Sequence, residues 1–211
     1  MFHHSETYDD LNSMEHGVVA ASGSGKTGKS SGVHALGELI PNFASRKKVF
    51  FDVLNFDPSI YPGYELVRDI DDIPSDCVCY IEDMIRVFSS RGSSNKATLP
   101  IWLGIISHKD IILMITTQNY QDIDKSLLRS QKVVSIHSYM YENDLPFERD
   151  EIKLQQAVAN RTIEYHVRNN PDVDPRSIKY CAEYNESFIL PLPSWWSSAH
   201  SKMFRGARVC Q

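Results

Sequence analysis

Short apolar runs alternate with helix-like stretches along most of the chain. Val18–Ala21, Cys77–Ile81, Ile111–Thr116 and Lys132–Ile136 each form a compact apolar run of strand length. Val49–Phe56 adds a run rich in β-branched and aromatic residues. Runs of this kind read as strands of a covered parallel sheet. Between them, Gly28–Ile40 reads as a helix stopped by Pro41. Asp83–Ser90 reads as a second, followed by a Gly/Ser-marked loop over Arg91–Lys96, and Pro100–Ser107 as a third with Pro100 at its start. The alternation predicts an α/β fold, a mostly parallel sheet flanked by helices. The text changes after Asp144. Glu148–Val167 has helical period, Pro175–Tyr184 reads as a shorter helical stretch, and Ser187–Leu192 as an edge strand. The pattern divides the chain into a polar N-terminal arm over 1–16 and a single domain over 17–211. That domain has a core at 17–139 and a largely helical C-terminal appendage at 140–211.

Composition narrows the classes. At 211 residues, 42% hydrophobic and 23% charged, the chain has the apolar content of a folded domain rather than of a disordered one. A net charge of -5 means that any contact with nucleic acid must come from a local basic patch or from a ring of subunits. Cys77 and Cys79 have C-x-C spacing without the second pair that a zinc site needs, so they and Cys181 and Cys210 read as reduced thiols. His3 and His4 offer a metal-binding pair, but a flexible polar arm explains Met1–Glu15 more simply, and this stretch is not a signal peptide. No apolar run approaches the roughly 20 residues needed to span a bilayer, so no integral membrane segment is expected.

The chemistry concentrates in Gly23-Ser24-Gly25-Lys26-Thr27-Gly28-Lys29-Ser30, which fits G-x-x-x-x-G-K-[ST] between a predicted strand and a predicted helix. Such a loop wraps backbone N–H groups around phosphates, helped by the positive end of the following helix. Lys29 is then the lysine for the β- and γ-phosphates, and Ser30 the Mg²⁺ hydroxyl, with Ser31 next along the helix. A second register ending on Lys26 would need glycine at position 20, where Ala20 stands. ATP and Mg²⁺ are the cofactors this implies.

A triphosphate-cleaving site also needs a carboxylate for the metal shell and a group to activate water. The third strand ends in Glu82-Asp83, which supplies both types. By position Glu82 faces the metal with Ser30 and Asp83 polarises water, although side-chain length alone leaves the roles exchangeable. Acids here would also suit the start of a helix. Gln118, in Thr116-Thr117-Gln118-Asn119 at the end of the fourth strand, is a candidate γ-phosphate sensor. Arg91 is the first candidate for an arginine reaching a neighbouring subunit's site, ahead of Arg129, His108 and Lys109.

Taken in order, these motifs resemble the motor domains of the FtsK–HerA superfamily of P-loop DNA-translocating ATPases. Gly28-Lys29-Ser30-Ser31-Gly32-Val33-His34-Ala35-Leu36 is similar to the family's loop and helix, Asp57-Pro58 to its Asp-Pro, and Thr117-Gln118 to its sensor. Leu127-Leu128-Arg129 and Val133–Ile136 look like its last core helix and strand. The order Glu-Asp departs from the Asp-Glu common among ATPases. The stretch similar to the superfamily carries no winged helix or added barrel. In this it resembles the genome-packaging ATPases of membrane-containing icosahedral viruses, such as the turreted viruses of archaea. That resemblance implies a RecA/FtsK-like fold and a homo-oligomeric ring that drives double-stranded DNA into a preformed capsid. It also implies capsid or membrane proteins as partners at a packaging vertex, in the host cytoplasm and the virion. Loops carrying Arg91–Lys96 or Lys125–Lys132 would then line the channel. The competing readings are a small-molecule or nucleotide kinase, which usually carries an arginine-rich lid, and a nucleotide-dependent switch. Asn95-Lys96 continues as Ala97-Thr98, which fails the guanine-reading Asn-Lys-x-Asp. Trp195-Trp196 reads as core packing or as a contact to a capsid or membrane protein.

Overall fold

The computed structural model describes residues 2–51, 58–83, 99–118, 125–144, 150–197 and 200. The helices are α1 (Glu6–Asn12), α2 (Lys29–Leu39), α3 (Pro41–Ala44), α4 (Leu99–His108), α5 (Lys125–Ser130) and α6 (Asp150–Asn169). The strands are β1 (Gly17–Ser22), β2 (Lys47–Phe51), β3 (Glu65–Val67), β4 (Cys77–Ile81), β5 (Ile112–Thr117), β6 (Val133–His137), β7 (Ile178–Cys181) and β8 (Glu186–Ile189). They form one sheet in the order β3-β2-β4-β5-β1-β6-β7-β8. The first six positions pair in parallel, and β7 and β8 close the far edge antiparallel. This is the α/β fold that the alternating pattern predicts.

The apolar runs are continuous because both sheet faces are covered. Val19 and Ala21 of β1, Val78 and Tyr80 of β4, and Ile112 and Met114 of β5 join Val33 and Leu36 of α2 and its cap residue Ile40 in one core. Their sequence neighbours Val18, Ala20, Cys77, Cys79, Ile81, Leu113 and Ile115 join Trp102 and Ile106 of α4 in the other. The side-chain alternation of a strand divides each run between two cores. Cys77, Cys79 and Cys181 are buried free thiols.

Register sets the stage for the site. Ala21 aligns with Thr116 and Ser22 with Thr117, while Ile81 aligns with Ile115. Glu82 therefore leaves β4 beside Thr116, and both lie where β1 runs out into the glycine-rich loop. Parallel strands open their carboxyl ends on one edge, and open α/β sheets bind ligands there.

Two expectations change. The stretch 1–16, expected as a flexible polar arm, is docked: Phe2, Leu11 and Met14 are buried, and Glu186 of β8 accepts the Glu6 and Thr7 backbone N–H groups at 3.0 Å each. Three apolar residues spread over thirteen positions give too weak a period to read, yet they suffice once a hydrophobic edge is available. The appendage, expected to be largely helical, is one long helix followed by a hairpin. Asp174 caps the Arg176 N–H at 2.9 Å, as at a helix start, but the turn ends at Ser177 and the chain enters β7. Among the described residues no helix is long and apolar enough to cross a membrane.

Candidate functional site

The loop after β1 begins at Gly23, and α2 begins at Lys29 with Gly28 as its N-cap at φ +83°. Gly28 has two reasons to be glycine. The left-handed backbone disfavours a side chain, and a Cβ there would lie 2.2 Å from the Arg176 carbonyl oxygen. Lys26, at φ 67°, takes a left-handed conformation without that relief. Short polar contacts hold the loop. Thr27 Oγ1 donates to the Ser24 carbonyl at 2.8 Å, and Ser24 Oγ accepts from the Tyr141 N–H at 2.7 Å. Lys29 Nζ lies across the loop mouth and donates to the carbonyls of Gly23 (2.9 Å) and Ser24 (2.7 Å). Burial lowers its pKa to about 8, against the raising effect of Glu82, Asp83 and Asp144.

Glu82 is 3% exposed, and each of its carboxylate oxygens has a donor. Oε2 accepts from Ser30 Oγ at 2.5 Å and from Thr116 Oγ1 at 2.9 Å, while Oε1 lies 3.1 Å from His34 Nε2. Burial alone would raise the carboxyl pKa. The hydrogen bonds and charge from His34, with the hydroxyls of Ser30 and Thr116, outweigh it and hold the pKa below the usual glutamate value. The ring of His34 is fully buried, stacked on Tyr80 at 4.5 Å and 15°, with Nδ1 2.9 Å from the Tyr64 hydroxyl. His34 thus bridges Glu82 and Tyr64. Asp83 follows at φ 53°, its N–H donating to Thr116 Oγ1 at 2.9 Å. A non-glycine residue in that region marks a position the surroundings enforce, and such residues cluster at functional sites.

One cavity of about 710 Å³ gathers these groups, within the usual size of a small-ligand site. Gly25, Lys26, Gly28, Lys29, Ser30 and Ser31 form its floor; Glu82, Asp83, Thr116, Thr117 and Gln118 form one side. The residues expected from the loop, the acidic pair and the polar strand end thus meet in one place. Arg91 lies outside the described residues, as do Asp57, Asn95, Lys96 and Asn119. Arg129 is exposed on α5 and is not among the cavity residues. Lys109 donates to the Ile73 carbonyl at 2.7 Å, a structural tie. Among the described residues no cluster of three or more His, Cys, Asp or Glu forms a metal-binding group. A magnesium–nucleotide pair asks less of the protein, one hydroxyl and one carboxylate beside the phosphates, and Ser30 with Glu82 fits that demand.

Two residues escaped the sequence reading of the site. His34 sits four positions after Ser30, so the two project from one face of α2, and both reach Glu82. Lys179 of β7 is 1% exposed beneath the loop, with Nζ 2.5 Å from the Arg176 carbonyl and 3.5 Å from that of Thr27. Burial, with the nearby charge of Lys29, lowers its pKa to about 7. Ser30 and His34 share a helical spacing that marks a common face. Nothing in Ile178-Lys179-Tyr180-Cys181 marks the lysine as buried.

No protein-family model matches the chain. No curated protein matches it either. Solved structures do. The genome packaging NTPase B204 from Sulfolobus turreted icosahedral virus 2, in complex with ATP-gammaS, superimposes with a TM-score of 0.52 at 14% identity, over 86% of this chain and 99% of that one. The same protein in complex with sulfate gives 0.53 at 15% identity, over 85% and 98%. The AMP complex gives 0.50 at 16% identity, over 85% and 98%. At these identities the likeness establishes the fold, and the chain has the α/β fold of a P-loop ATPase.

Proposed function

We propose that this protein is an ATP-hydrolysing translocase that moves double-stranded DNA, acting as a ring at the packaging vertex of a virus. The observation that carries the reading is the cavity at the carboxyl ends of β1, β4 and β5. It combines a complete phosphate loop with a hydroxyl–carboxylate pair, on a fold similar to that of a genome packaging NTPase in complex with ATP-gammaS.

Each residue has a defined task in this reading. The loop amides and Lys29 bind the β- and γ-phosphates, and Lys29 exchanges its hold on the Gly23 and Ser24 carbonyls for phosphate oxygens. Ser30 and Glu82 hold the metal and its water shell. Mg²⁺, when bound, neutralises charge on the phosphates and fixes their orientation. The 2.5 Å Ser30–Glu82 bond supports giving the metal role to Glu82, whose oxygens are committed to fixed donors. Asp83, next along the chain and facing the cavity, is left to accept a proton from the attacking water. Gln118 orients that water or senses the γ-phosphate. A ring supplies two things one acidic chain lacks: a neighbour's arginine, for which Arg91 is the candidate, and enough converging basic side chains to hold the DNA backbone. The setting this implies is the host cytoplasm and the virion, with capsid or membrane proteins as partners.

Steady-state ATP turnover, with and without double-stranded DNA at several salt concentrations, tests the proposal. The expected result is hydrolysis that DNA stimulates and that added salt weakens. Hydrolysis indifferent to DNA in every condition would overturn translocation and leave an ATPase. Transfer of phosphate to a nucleoside monophosphate faster than to water would make the protein a kinase.

A further inference from the structure

The cavity changes character along its length. Its phosphate end carries Lys29, Glu82 and Asp83, and the C-terminal segment adds a second wall of Leu192, Trp196, Ser197 and His200, with Arg176 among the lining. Leu192 is 52% exposed, an apolar side chain at the cavity surface. The rings of Trp196 and His200 stack 4.9 Å apart at 25°.

This wall is anchored from behind. Trp195 Nε1 donates to Glu38 Oε1 at 2.6 Å, and its ring packs edge-on against Tyr64. His200 Nε2 donates to the Ile60 carbonyl at 2.5 Å, and His200 Nδ1 accepts from the Ser197 N–H at 3.0 Å. The polar atoms of Trp195 and His200 are thereby occupied by the protein itself, and Trp196 and Leu192 are the side chains of the wall that meet the cavity. Arg176 is fixed too, its guanidinium gripped by Asp174 at 2.6 to 3.0 Å, so its flat face is available for stacking.

We infer that this wall is the nucleoside subsite: Trp196 and Leu192 take the planar base of the bound nucleotide, with buried His200 stacked behind Trp196 and the Arg176 guanidinium beside it. The inference rests on the proposed nucleotide site, since a ligand held by phosphates on the loop must extend its other end along the same cavity. A flat aromatic ring is the ligand chemistry that matches ring faces, a methyl-bearing rim and a planar cation. The double tryptophan thus has divided duties, Trp195 in the core and Trp196 on the ligand.

Calorimetric binding of the full chain to a non-hydrolysable ATP analogue and to inorganic tripolyphosphate separates the two ends of the cavity. Trp196→Ala is expected to weaken the analogue by roughly tenfold, the scale of one base stacked on one aromatic ring, and to leave tripolyphosphate within about twofold. Leu192→Ser, at an exposed position that folding does not need, is expected to show a smaller loss of the same selectivity, and Trp196→Phe to restore most of the affinity. Unchanged analogue binding in both Trp196→Ala and Leu192→Ser would overturn the subsite. So would equal losses of analogue and tripolyphosphate, which would make the wall mere support. If the wild-type chain bound neither ligand, the nucleotide reading itself would fall, a result distinct from either.

Discussion

The glycine-rich end of the sheet and the C-terminal hairpin meet at one cavity but are built by opposite rules. At the first, the chemistry is contiguous: eight residues in a row carry the loop, and Glu82-Asp83 and Gln118 simply end their strands. At the second, residues from Asp174 to His200 matter only through where the fold delivers them. Arg176 crowds Gly28, Lys179 lies beneath Thr27, and Trp196 faces the cavity. A phosphate grip can be written locally because it uses backbone and one helix terminus. The rest of a ligand pocket has no such local code.

Four experiments break or sharpen that contrast. The largest effect is expected from Lys29→Ala, with ATP turnover falling by roughly a thousandfold or more, the scale for removing a cation aimed at the transferring phosphoryl group. Steady-state kinetics checks it; a mild loss would put the phosphate lysine elsewhere. Next, Glu82→Gln should lower kcat by about a hundredfold and also weaken the Mg²⁺-dependent affinity for nucleotide, measured by titration, because Glu82 is given the metal. A loss confined to kcat, with that affinity kept, would reverse the roles of Glu82 and Asp83.

The third effect belongs to the residue that links the two regions. His34→Leu should cost about tenfold in kcat with KM preserved, because it frees one carboxylate oxygen of Glu82, whereas His34→Gln, with an amide that can still donate to Glu82, should recover much of it. Equal damage from both would reduce His34 to packing against Tyr80. The smallest is a matter of pH. Folded Lys179 loses its proton near pH 7, while the unfolded chain keeps it to 10.5. The unfolded state therefore binds the extra proton across that window, and stability rises with pH through it. Melting curves should show the wild type gaining on Lys179→Met by about a few degrees between pH 7 and pH 10; a flat difference would mean that Lys179 stays charged.

The sheet was legible because a strand covered on both faces must be apolar throughout, and β1, β4, β5 and β6 fall within a residue of the expected bounds. β3 was not, since Glu65–Val67 is three residues long and shows no period. β7 was masked by a true local signal: Asp174-Pro175 does start a turn, but Lys179 and the hairpin partner β8 redirect the chain. Within the site the loop, Glu82, Asp83 and Gln118 could be named from type and position alone. His34 left a fainter mark, its four-residue spacing from Ser30, whose meaning depends on knowing that Glu82 lies across from both. Arg176 and Trp196 reach the cavity by tertiary contact from more than 140 positions after Ser31, a distance over which sequence pattern carries no information.

The contact between Gly28 and the Arg176 carbonyl has a consequence for how the molecule breathes. The lysine that ties Arg176 to Thr27 makes the loop and the entry to β7 open and close together, since neither can lift without exposing an amine and two carbonyls. A ligand that quiets the loop should therefore slow amide hydrogen exchange at 178–181, in a strand it does not touch. By reciprocity, loosening that hairpin would weaken the hold on phosphate. The far edge of the sheet becomes a place from which the grip can be tuned.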